Sequence, residues 1–359
     1  MYVYIYIVGV VMTTIGSIKV LSKESPLVYF KFINNILPRI NELYELFNLN
    51  ADSDLFENKS ALKLASNIWD EFINEPGTAL ELSLLQRSRS ASAYALHNLY
   101  VYMSKHLLRP SQGEFVLDQK AIHSILQCLM SVFNDPKFIS KLDSTRRNQQ
   151  KTRDSLYGYV TDLKKIYAKL MVVRVDFAYN RFVCNTMLPL EHIENDWDQL
   201  LLYVKTNFFN SFAGYGVKFE RGDDKGLHAH SVFFFDGNVV CNDAKIGRIL
   251  GEYWEQQVTE GLGVHFNCNT SDHKVKLKVC GLGTFTGRET AFWEGAWIIA
   301  DYLSKPDVMV RLMLPERTKI FRRGSLSEKQ KIKLESVLRK QAMLTSHSSD
   351  DTNFLQPSV

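Results

Sequence analysis

The sequence predicts an α+β protein in which helices pack on an antiparallel sheet, preceded by an all-helical N-terminal region. Residues 24–135 place apolar side chains at three- to four-residue spacing, which is typical of amphipathic helices. After about residue 145, strand-like and helix-like segments alternate. Two of these strands, 215–221 and 227–235, are joined only by the short turn GDDKG. So short a connection joins antiparallel neighbours, which favours helices packed on an antiparallel sheet.

The first 145 residues show no catalytic constellation. Residues 1–23 contain the uncharged run MYVYIYIVGVVMTTIGSI, whose length approaches a membrane span. The run is rich in residues that favour strands and no basic residue precedes it, so we expect a strand-like segment and no membrane partner. Residues 24–145 are expected to form a helical accessory domain, in which Asp118 caps the last amphipathic helix and Pro136 ends it.

The elements of the second region can be assigned in chain order. A basic, amphipathic helical segment, 141–170, leads into the strand MVVRVDFAY at 171–179. The later predicted elements are a helix at 190–209, strands at 215–221 and 227–235, a helix at 244–257, strands near 262–267 and 275–283, and a helix at 289–305. We assign residues 146–325 to this domain, and residues 326–359 to a helical extension whose polar tail from Ser346 is expected to be disordered.

Composition limits the surroundings and partners of the protein without naming its function. The chain has 359 residues, enough for two domains, and its 45% hydrophobic and 23% charged content is ordinary for a soluble protein. The five cysteines form no CxxC pair, which argues against a disulfide framework or a zinc finger and favours a reducing cytoplasm. The net charge of +4 permits a nucleic-acid partner but does not require one.

The stretch GDDKGLHAHSVFFFDG indicates a metal site on one face of the hairpin. His228 and His230 are two residues apart, so their side chains point to the same face of a strand. If the hairpin is symmetric about Asp224, Glu220 lies opposite His228 and joins them, whereas a one-residue shift in register would remove it. Two imidazoles and a carboxylate suit Mg²⁺ or Mn²⁺, and the imidazoles would also accept zinc. Alternating residues such as Ala229 are expected to face a helix on the other side.

The last predicted helix of the domain supplies a candidate nucleophile. Tyr302 and Lys305, in AFWEGAWIIADYLSK, are three residues apart and therefore share a helix face. Tyrosine can act as a covalent nucleophile, and a nearby ammonium would favour the phenolate and hold a phosphate. Without the histidine pair, the helix would favour Tyr302 as a core residue whose hydroxyl lies at the rim.

These residues resemble the HUH endonuclease superfamily, which contains rolling-circle replication initiators and relaxases. More narrowly, RVDFAY, GDDKGLHAHSVFFFDG, ILGEYW, HFNCN and YLSK resemble the replication-initiation proteins of filamentous phages (inoviruses) and their prophage relatives. The similarity covers residues 150–325 approximately, and the histidine pair with its strand is its most specific part. The region before about residue 140 resembles no family that we can name.

The resemblance implies an enzyme that nicks and rejoins one DNA strand in the cytoplasm of a bacterial host. A divalent metal, Mg²⁺ or Mn²⁺, would be held by His228, His230 and Glu220, while Tyr302 attacks the phosphate and Lys305 assists. The implied partners are single-stranded or hairpin origin DNA, with a host helicase and polymerase as further expected partners. The basic residues expected to contact DNA are Arg146, Arg147, Lys151, Arg153, Arg322 and Arg323.

Two alternatives remain open at this level, and two features depart from the family: the basic balance is only modest, and a second tyrosine is missing from the last helix. Some phage initiators carry two tyrosines one helical turn apart, but here position 298 is Ile and position 306 is Pro, which indicates a single-tyrosine enzyme. The first alternative is a non-catalytic DNA-binding prophage regulator that retains the fold. The second is a metal-dependent phosphoesterase that uses water as its nucleophile, in which Tyr302 would be dispensable.

Overall fold

The fold is described from a computed structural model of the protein. The structure describes residues 26–49, 56–74, 90–106, 119–180, 183, 188–222, 226–287, 289–307 and 319–350. The predicted strand-like segment 1–23 and the predicted cap Asp118 therefore lie outside the described residues. The α+β prediction is confirmed: an N-terminal group of helices precedes an antiparallel six-stranded sheet covered by helices.

The N-terminal helices enclose a hydrophobic core of their own. They are α1 (Pro26–Leu49), α2 (Lys59–Asn74), α3 (Ala91–His106) and α4 (Gln119–Phe133). Buried side chains such as Ile40, Ile68, Leu99 and Leu129 form this core. Helix α4 ends at Phe133, close to the predicted position, but Pro136 has a different role from the expected one. It begins the next helix, because proline is well suited to the first helical turn, where its missing N–H has no partner to lose.

Helix α5 (Pro136–Ile166) connects the two regions without a break. Asp135 caps its start by accepting from the backbone N–H of Lys137, and the hydroxyl of Tyr94 on α3 donates to the same carboxylate at 2.6 Å. The helix passes straight through the boundary that we expected near residue 145. Its first turns contribute Phe138 to the N-terminal core, and its last turns contribute Leu156 and later residues to the core beside the sheet.

The sheet contains the strands β1 (Lys169–Tyr179), β2 (Phe212–Gly222), β3 (Gly226–Asp236), β4 (Gly263–Asn267), β5 (Gly283–Thr286) and β6 (Phe321–Arg323). Their order is β4-β1-β3-β2-β6, and β5 also pairs with β1. Strands β2 and β3 are the predicted hairpin, and β1 is the strand predicted at 171–179. Strands β4 and β5 pair with different halves of β1.

Helices cover both faces of the sheet, and alternation along the strands separates two cores. On one face, Phe177, Ala229 and Phe233 lie in a core with helix α6 (Leu190–Asn207) and helix α7 (Asp243–Tyr253), as predicted for Ala229. A π-helical turn, Trp254–Val258, continues α7. On the other face, Val172, Val232 and Phe234 pack with α5 and helix α9 (Thr290–Ser304).

Two predictions about the later elements were wrong. Residues 275–283 do not form a strand: a short helix, α8 (Ser271–Lys274), precedes an irregular segment, and β5 begins only at Gly283. The apolar residues there alternate with lysines, but Val275 is 81% exposed and Leu277 is only partly buried, so the alternation does not mark the buried face of a strand. The C-terminal helix α10 (Glu328–Asp350) extends past Ser346, where disorder was expected. Within the described residues, no helix is long and apolar enough to cross a membrane.

Candidate metal and tyrosine site

The register of the hairpin places the three predicted ligands together. Glu220 on β2 lies opposite His228 on β3, and Gly222 lies opposite Gly226, so the predicted pairing is confirmed. His230 lies opposite Lys218 on β2 and opposite Asp176 on β1. All of these side chains point to the face that is covered by α5 and α9.

The side chains of Glu220, His228 and His230 converge on one point. The Nε2 atom of His230 lies 3.1 Å from Oε2 of Glu220, and Nε2 of His228 lies 3.5 Å from the same oxygen. One ligand atom from each residue lies within 4.8 Å of the others. The imidazole rings are nearly perpendicular, with centroids 4.8 Å apart. Two nitrogens and an oxygen at these separations form a donor set that fits a divalent cation.

Each imidazole is oriented through its second nitrogen. Nδ1 of His228 lies 2.9 Å from the carbonyl oxygen of Gly226, an acceptor that favours the tautomer with a free Nε2. Nδ1 of His230 lies 2.8 Å from Oδ2 of Asp176, within the distance of a hydrogen bond but outside its preferred angle. Both histidines are buried, so these contacts also provide partners for ring nitrogens that water reaches poorly.

The carboxylate of Glu220 is held ionised by partners on both of its oxygens. Burial alone would raise its pKa, but hydrogen bonds with His228 and His230 and the ammonium of Lys218 hold the pKa of Glu220 well below its usual range. Lys218 contacts Oε1, while Oε2 faces the two imidazoles. For His230, burial alone would lower the pKa. The contacts of His230 with Asp176 and Glu220 outweigh burial and raise that pKa.

Tyr302 is brought to this cluster by the last turn of α9. Its hydroxyl lies 3.0 Å from Nε2 of His230, and the two rings meet edge to face with centroids 5.1 Å apart. Burial raises the pKa of Tyr302, and the guanidinium of Arg174 opposes this shift. The side chain is therefore a phenol at neutral pH, in hydrogen-bond contact with a candidate metal ligand.

Arg174, rather than Lys305, is the cation packed most closely against the tyrosine. The guanidinium carbon of Arg174 lies 4.5 Å from the centroid of the Tyr302 ring, and Arg174 also binds both carboxylate oxygens of Asp176 at 3.1 and 3.2 Å. Lys305 is exposed at the end of α9, with its Nζ 5.9 Å from the ring centroid. The side chain of Arg174 is therefore held in place by Asp176 and the Tyr302 ring, whereas the side chain of Lys305 is accessible to solvent.

The end of α9 is also fixed to the hairpin. The backbone N–H of Arg221, next to Glu220, donates to Oδ2 of Asp307 at 2.9 Å. This bond joins the segment after Tyr302 to the strand that carries the carboxylate. The tyrosine and the histidine cluster are thus held by contacts on both sides.

One group of predicted DNA-binding cations lies on α5, which runs antiparallel to α9. The ring of Tyr157 meets that of Trp297 at 5.3 Å, and one turn earlier on α5, Arg153 reaches Asp301 at 3.4 Å. Arg153 also stacks on the Trp297 ring at 4.4 Å, so its charge is already partnered. Towards its N-terminus, α5 therefore continues past the C-terminal end of α9. The exposed predicted cations on that part of α5 are Arg146, Arg147 and Lys151.

The other predicted pair, Arg322 and Arg323, is engaged within the protein. Arg322 pairs with Glu194 and with Asp198 at 3.2 Å, and Arg323 donates to the hydroxyl of Ser155 at 2.9 Å. Both arginines lie on β6, at the edge of the sheet. Their contacts explain how this edge strand is held, so a DNA contact is not needed to account for them.

Sequence reasoning missed three residues of the site: Arg174, Asp176 and Lys218. All three are polar side chains that alternate with apolar ones in buried strands, as in RVDF and VKFE. Alternation with Glu220 could have placed Lys218 on the predicted face, whereas Arg174 and Asp176 join that face only through the pairing of β1 with β3. Two further candidates in the same domain, His265 and Tyr253, contact other groups: Nδ1 of His265 lies 2.8 Å from Glu255, and Tyr253 stacks on Tyr203.

Comparison with known proteins returned no match to a protein-family model, a curated protein or a solved structure.

Proposed function

We propose that the chain is a metal-dependent DNA nickase that cuts and rejoins a single strand through a tyrosine-linked intermediate, and so initiates rolling-circle replication of a phage-like or integrated element. The observation that carries the proposal is the 3.0 Å contact between the hydroxyl of Tyr302 and Nε2 of His230, within a His-His-Glu cluster. A tyrosine whose hydroxyl touches a candidate metal ligand is suited to attack a phosphate bound at that metal.

The residues fit a divalent metal ion. Glu220, His228 and His230 would hold it, and each of the two imidazoles has the second-nitrogen contact that commonly orients metal-bound histidine. Such an ion, when bound, would polarise the scissile phosphate and neutralise part of its charge. The mixed nitrogen and oxygen donors are compatible with Mg²⁺ or Mn²⁺.

Tyr302 would carry out the covalent step. Its phenolic oxygen forms a bond to phosphorus while the bond from phosphorus to the 3′ oxygen breaks. The phenolic proton leaves toward solvent or a neighbouring base, and the departing 3′ oxygen takes up a proton to become a free 3′ hydroxyl. The 5′-phosphotyrosyl bond preserves the phosphodiester energy, so the reverse attack by a 3′ hydroxyl rejoins the strand.

Arg174 would keep the ring of Tyr302 in place for that attack. It lies against the ring face and is itself fixed by both oxygens of Asp176, so the tyrosine has a rigid cationic neighbour. Lys305, which is exposed beside the ring, is suited to contact a phosphate of the incoming strand. These positions are consistent with the roles expected of Tyr302 and Lys305.

Single-stranded DNA would approach along the N-terminal half of α5. Arg146 lies about 10 Å along the helix from Arg153, which contacts the helix that carries Tyr302. Trp297, on the same side and 42% exposed, offers a surface for base stacking. The exposed cations Arg146, Arg147 and Lys151 would bind backbone phosphates.

The test is a nicking assay with the full chain. Single-stranded oligonucleotides that tile the DNA on either side of the gene are incubated with protein and Mn²⁺, and covalent protein–DNA bands are sought by denaturing electrophoresis. We expect a metal-dependent band that disappears in both Tyr302→Phe and His228→Ala. Tyr157→Phe is the matched control, since this tyrosine packs on Trp297 instead of the histidines.

Each competing function gives a different result. A phosphoesterase with a water nucleophile would cut DNA without a covalent band, and Tyr302→Phe would stay active. A non-catalytic regulator would bind these oligonucleotides with no cleavage on any of them. Either result would overturn the proposed function.

A further inference from the structure

Lys218 is a cation buried inside the candidate metal site. Its side chain is only 2% exposed, and its ammonium contacts Oε1 of Glu220. Lysine is almost never fully buried unless it is paired, because desolvating its charge is costly. A site whose purpose was tight metal binding would not hold a positive charge against one of its own ligands. The position of Lys218 therefore needs a reason.

The two oxygens of Glu220 have different partners. Oε2 lies 3.1 Å from Nε2 of His230 and 3.5 Å from Nε2 of His228, whereas Oε1 faces Lys218. As long as Lys218 holds Oε1, only Oε2 is available to a metal. A carboxylate that binds through one oxygen leaves an additional coordination position open.

The charges around the site are balanced before any metal is bound. Glu220 is paired with Lys218, and Asp176 is paired with Arg174. Two anions and two cations give these four side chains no net charge, so they offer a divalent ion little attraction. The negative charge that attracts the ion must then come from a bound ligand, and the phosphate of a DNA strand would supply it.

We propose that Lys218 is a positioning residue that restricts Glu220 to one-oxygen metal binding and keeps the affinity for metal low until a DNA phosphate is present. This inference rests on the metal-binding half of the proposed function. If Lys218 were purely structural, removing its charge would leave metal binding unchanged or weaken it. Removing the charge of Lys218 should tighten metal binding, although it removes a buried partner of Glu220.

The experiment measures Mn²⁺ binding to the full chain without DNA, from the loss of the free-ion signal in electron paramagnetic resonance. We expect Lys218→Met to bind Mn²⁺ about tenfold more tightly than the unchanged protein, because a nearby like charge and a competitor for Oε1 are both removed. Lys218→Arg, which keeps the charge, should bind as weakly as the unchanged protein. Lys218→Gln is neutral but can still donate to Oε1, so it serves if the methionine variant does not fold.

The outcomes separate this inference from the proposed function. If the unchanged protein binds Mn²⁺ and folded Lys218→Met or Lys218→Gln binds it equally well or more weakly, the role assigned to Lys218 is overturned. The proposed function is not affected by that result. No binding by any of these proteins overturns it together with the metal-binding half of the proposed function. Tighter binding by the neutral variants supports it, even if the nicking assay shows no covalent band.

Discussion

At the residue scale, the two histidines of the site are oriented by different acceptors. His228 faces the carbonyl of Gly226, which is part of the hairpin itself, whereas His230 faces Asp176 on the neighbouring strand. The first contact is local and depends only on the hairpin. The second requires β1 and β3 to pair in the observed register. The orientation of His230, and of the tyrosine that it touches, therefore depends on the pairing of β1 with β3.

Arg174 should matter more for the chemistry than Lys305. Arg174→Lys removes the two-oxygen contact with Asp176 and the flat cation on the Tyr302 ring, so we expect covalent adduct formation to slow by about 10- to 100-fold. Lys305→Met should have a smaller effect, because that lysine is exposed. The rate of appearance of the covalent band, measured at saturating Mn²⁺, compares the two. A larger loss in Lys305→Met would contradict the assignment of Arg174.

Asp196, on the opposite face of the sheet, gives a pH-dependent prediction. Burial raises its pKa, although the hydroxyl of Tyr179, which donates to it at 2.6 Å, and nearby His192 act in the other direction. The folded chain thus holds this proton more tightly than the unfolded chain. The resulting stabilisation is present at acidic pH, below the unfolded pKa, and is lost as the pH rises through the folded pKa.

Asp196→Asn keeps an acceptor for Tyr179 but cannot ionise. We therefore expect this variant to melt at a higher temperature than the unchanged protein at pH 8, with a smaller difference at pH 4. Thermal melts at the two pH values measure this change. A difference that does not depend on pH would show that the ionisation of Asp196 has no part in stability.

At the element scale, the position of α9 depends on the close approach of two glycines. A Cβ added to Gly295 would lie 2.2 Å from Cα of Gly281, far inside contact distance, so α9 would have to move away. Because Tyr302 lies two turns further along this rigid helix, its hydroxyl would move as well. The glycines are thus part of the structural basis for the contact with His230.

Gly295→Ala should consequently reduce nicking more than its effect on folding would suggest. A displacement near 1 Å can cost about 100-fold in rate, so we expect a loss of that order in adduct formation at temperatures where the variant remains folded. Gly158→Ala on α5 is the matched control, since nothing lies within 4 Å of its added Cβ. Equal rates for both variants would contradict the proposed role of this helix contact.

The elements that could be predicted from sequence are those fixed by local pattern. Glu220 and His228 could be paired because the turn between them is short and the register follows from counting outward from its centre. Asp176 and Arg174 could not be added to the site, because their neighbours depend on β3 lying beside β1, a contact between residues far apart in sequence. The error at 275–283 arose since alternation alone does not reveal whether a segment has a strand to pair with.

At the scale of the whole molecule, α5 is the connection between the helical region and the site. A boundary near residue 145 is reasonable from composition, yet the helix continues through it, and the change from one core to the other falls between Phe138 and Leu156. The basic residues that mark the boundary in the sequence lie on this bridging helix. They lie on the part of α5 that continues past the end of α9, where Tyr302 lies.

The net charge of +4 is small, so DNA binding should depend on this local group of cations. Replacing Arg146, Arg147 and Lys151 with glutamine should weaken single-strand binding by Tyr302→Phe protein and lower its salt dependence by up to about two units of logarithmic slope. Fluorescence anisotropy at several salt concentrations measures both. The control replaces three exposed lysines on α10: Lys329, Lys331 and Lys340. If both triple variants changed the slope equally, the local role of α5 would be contradicted.

The most direct test of the central claim is to identify the residue that becomes linked to DNA. The covalent adduct is isolated, digested with nuclease and protease, and examined by mass spectrometry for a peptide that carries a nucleotide remnant. We predict a 5′-phosphotyrosyl bond on Tyr302, the tyrosine in contact with His230. A remnant on any other residue, or cleaved DNA with no modified peptide, would contradict the account.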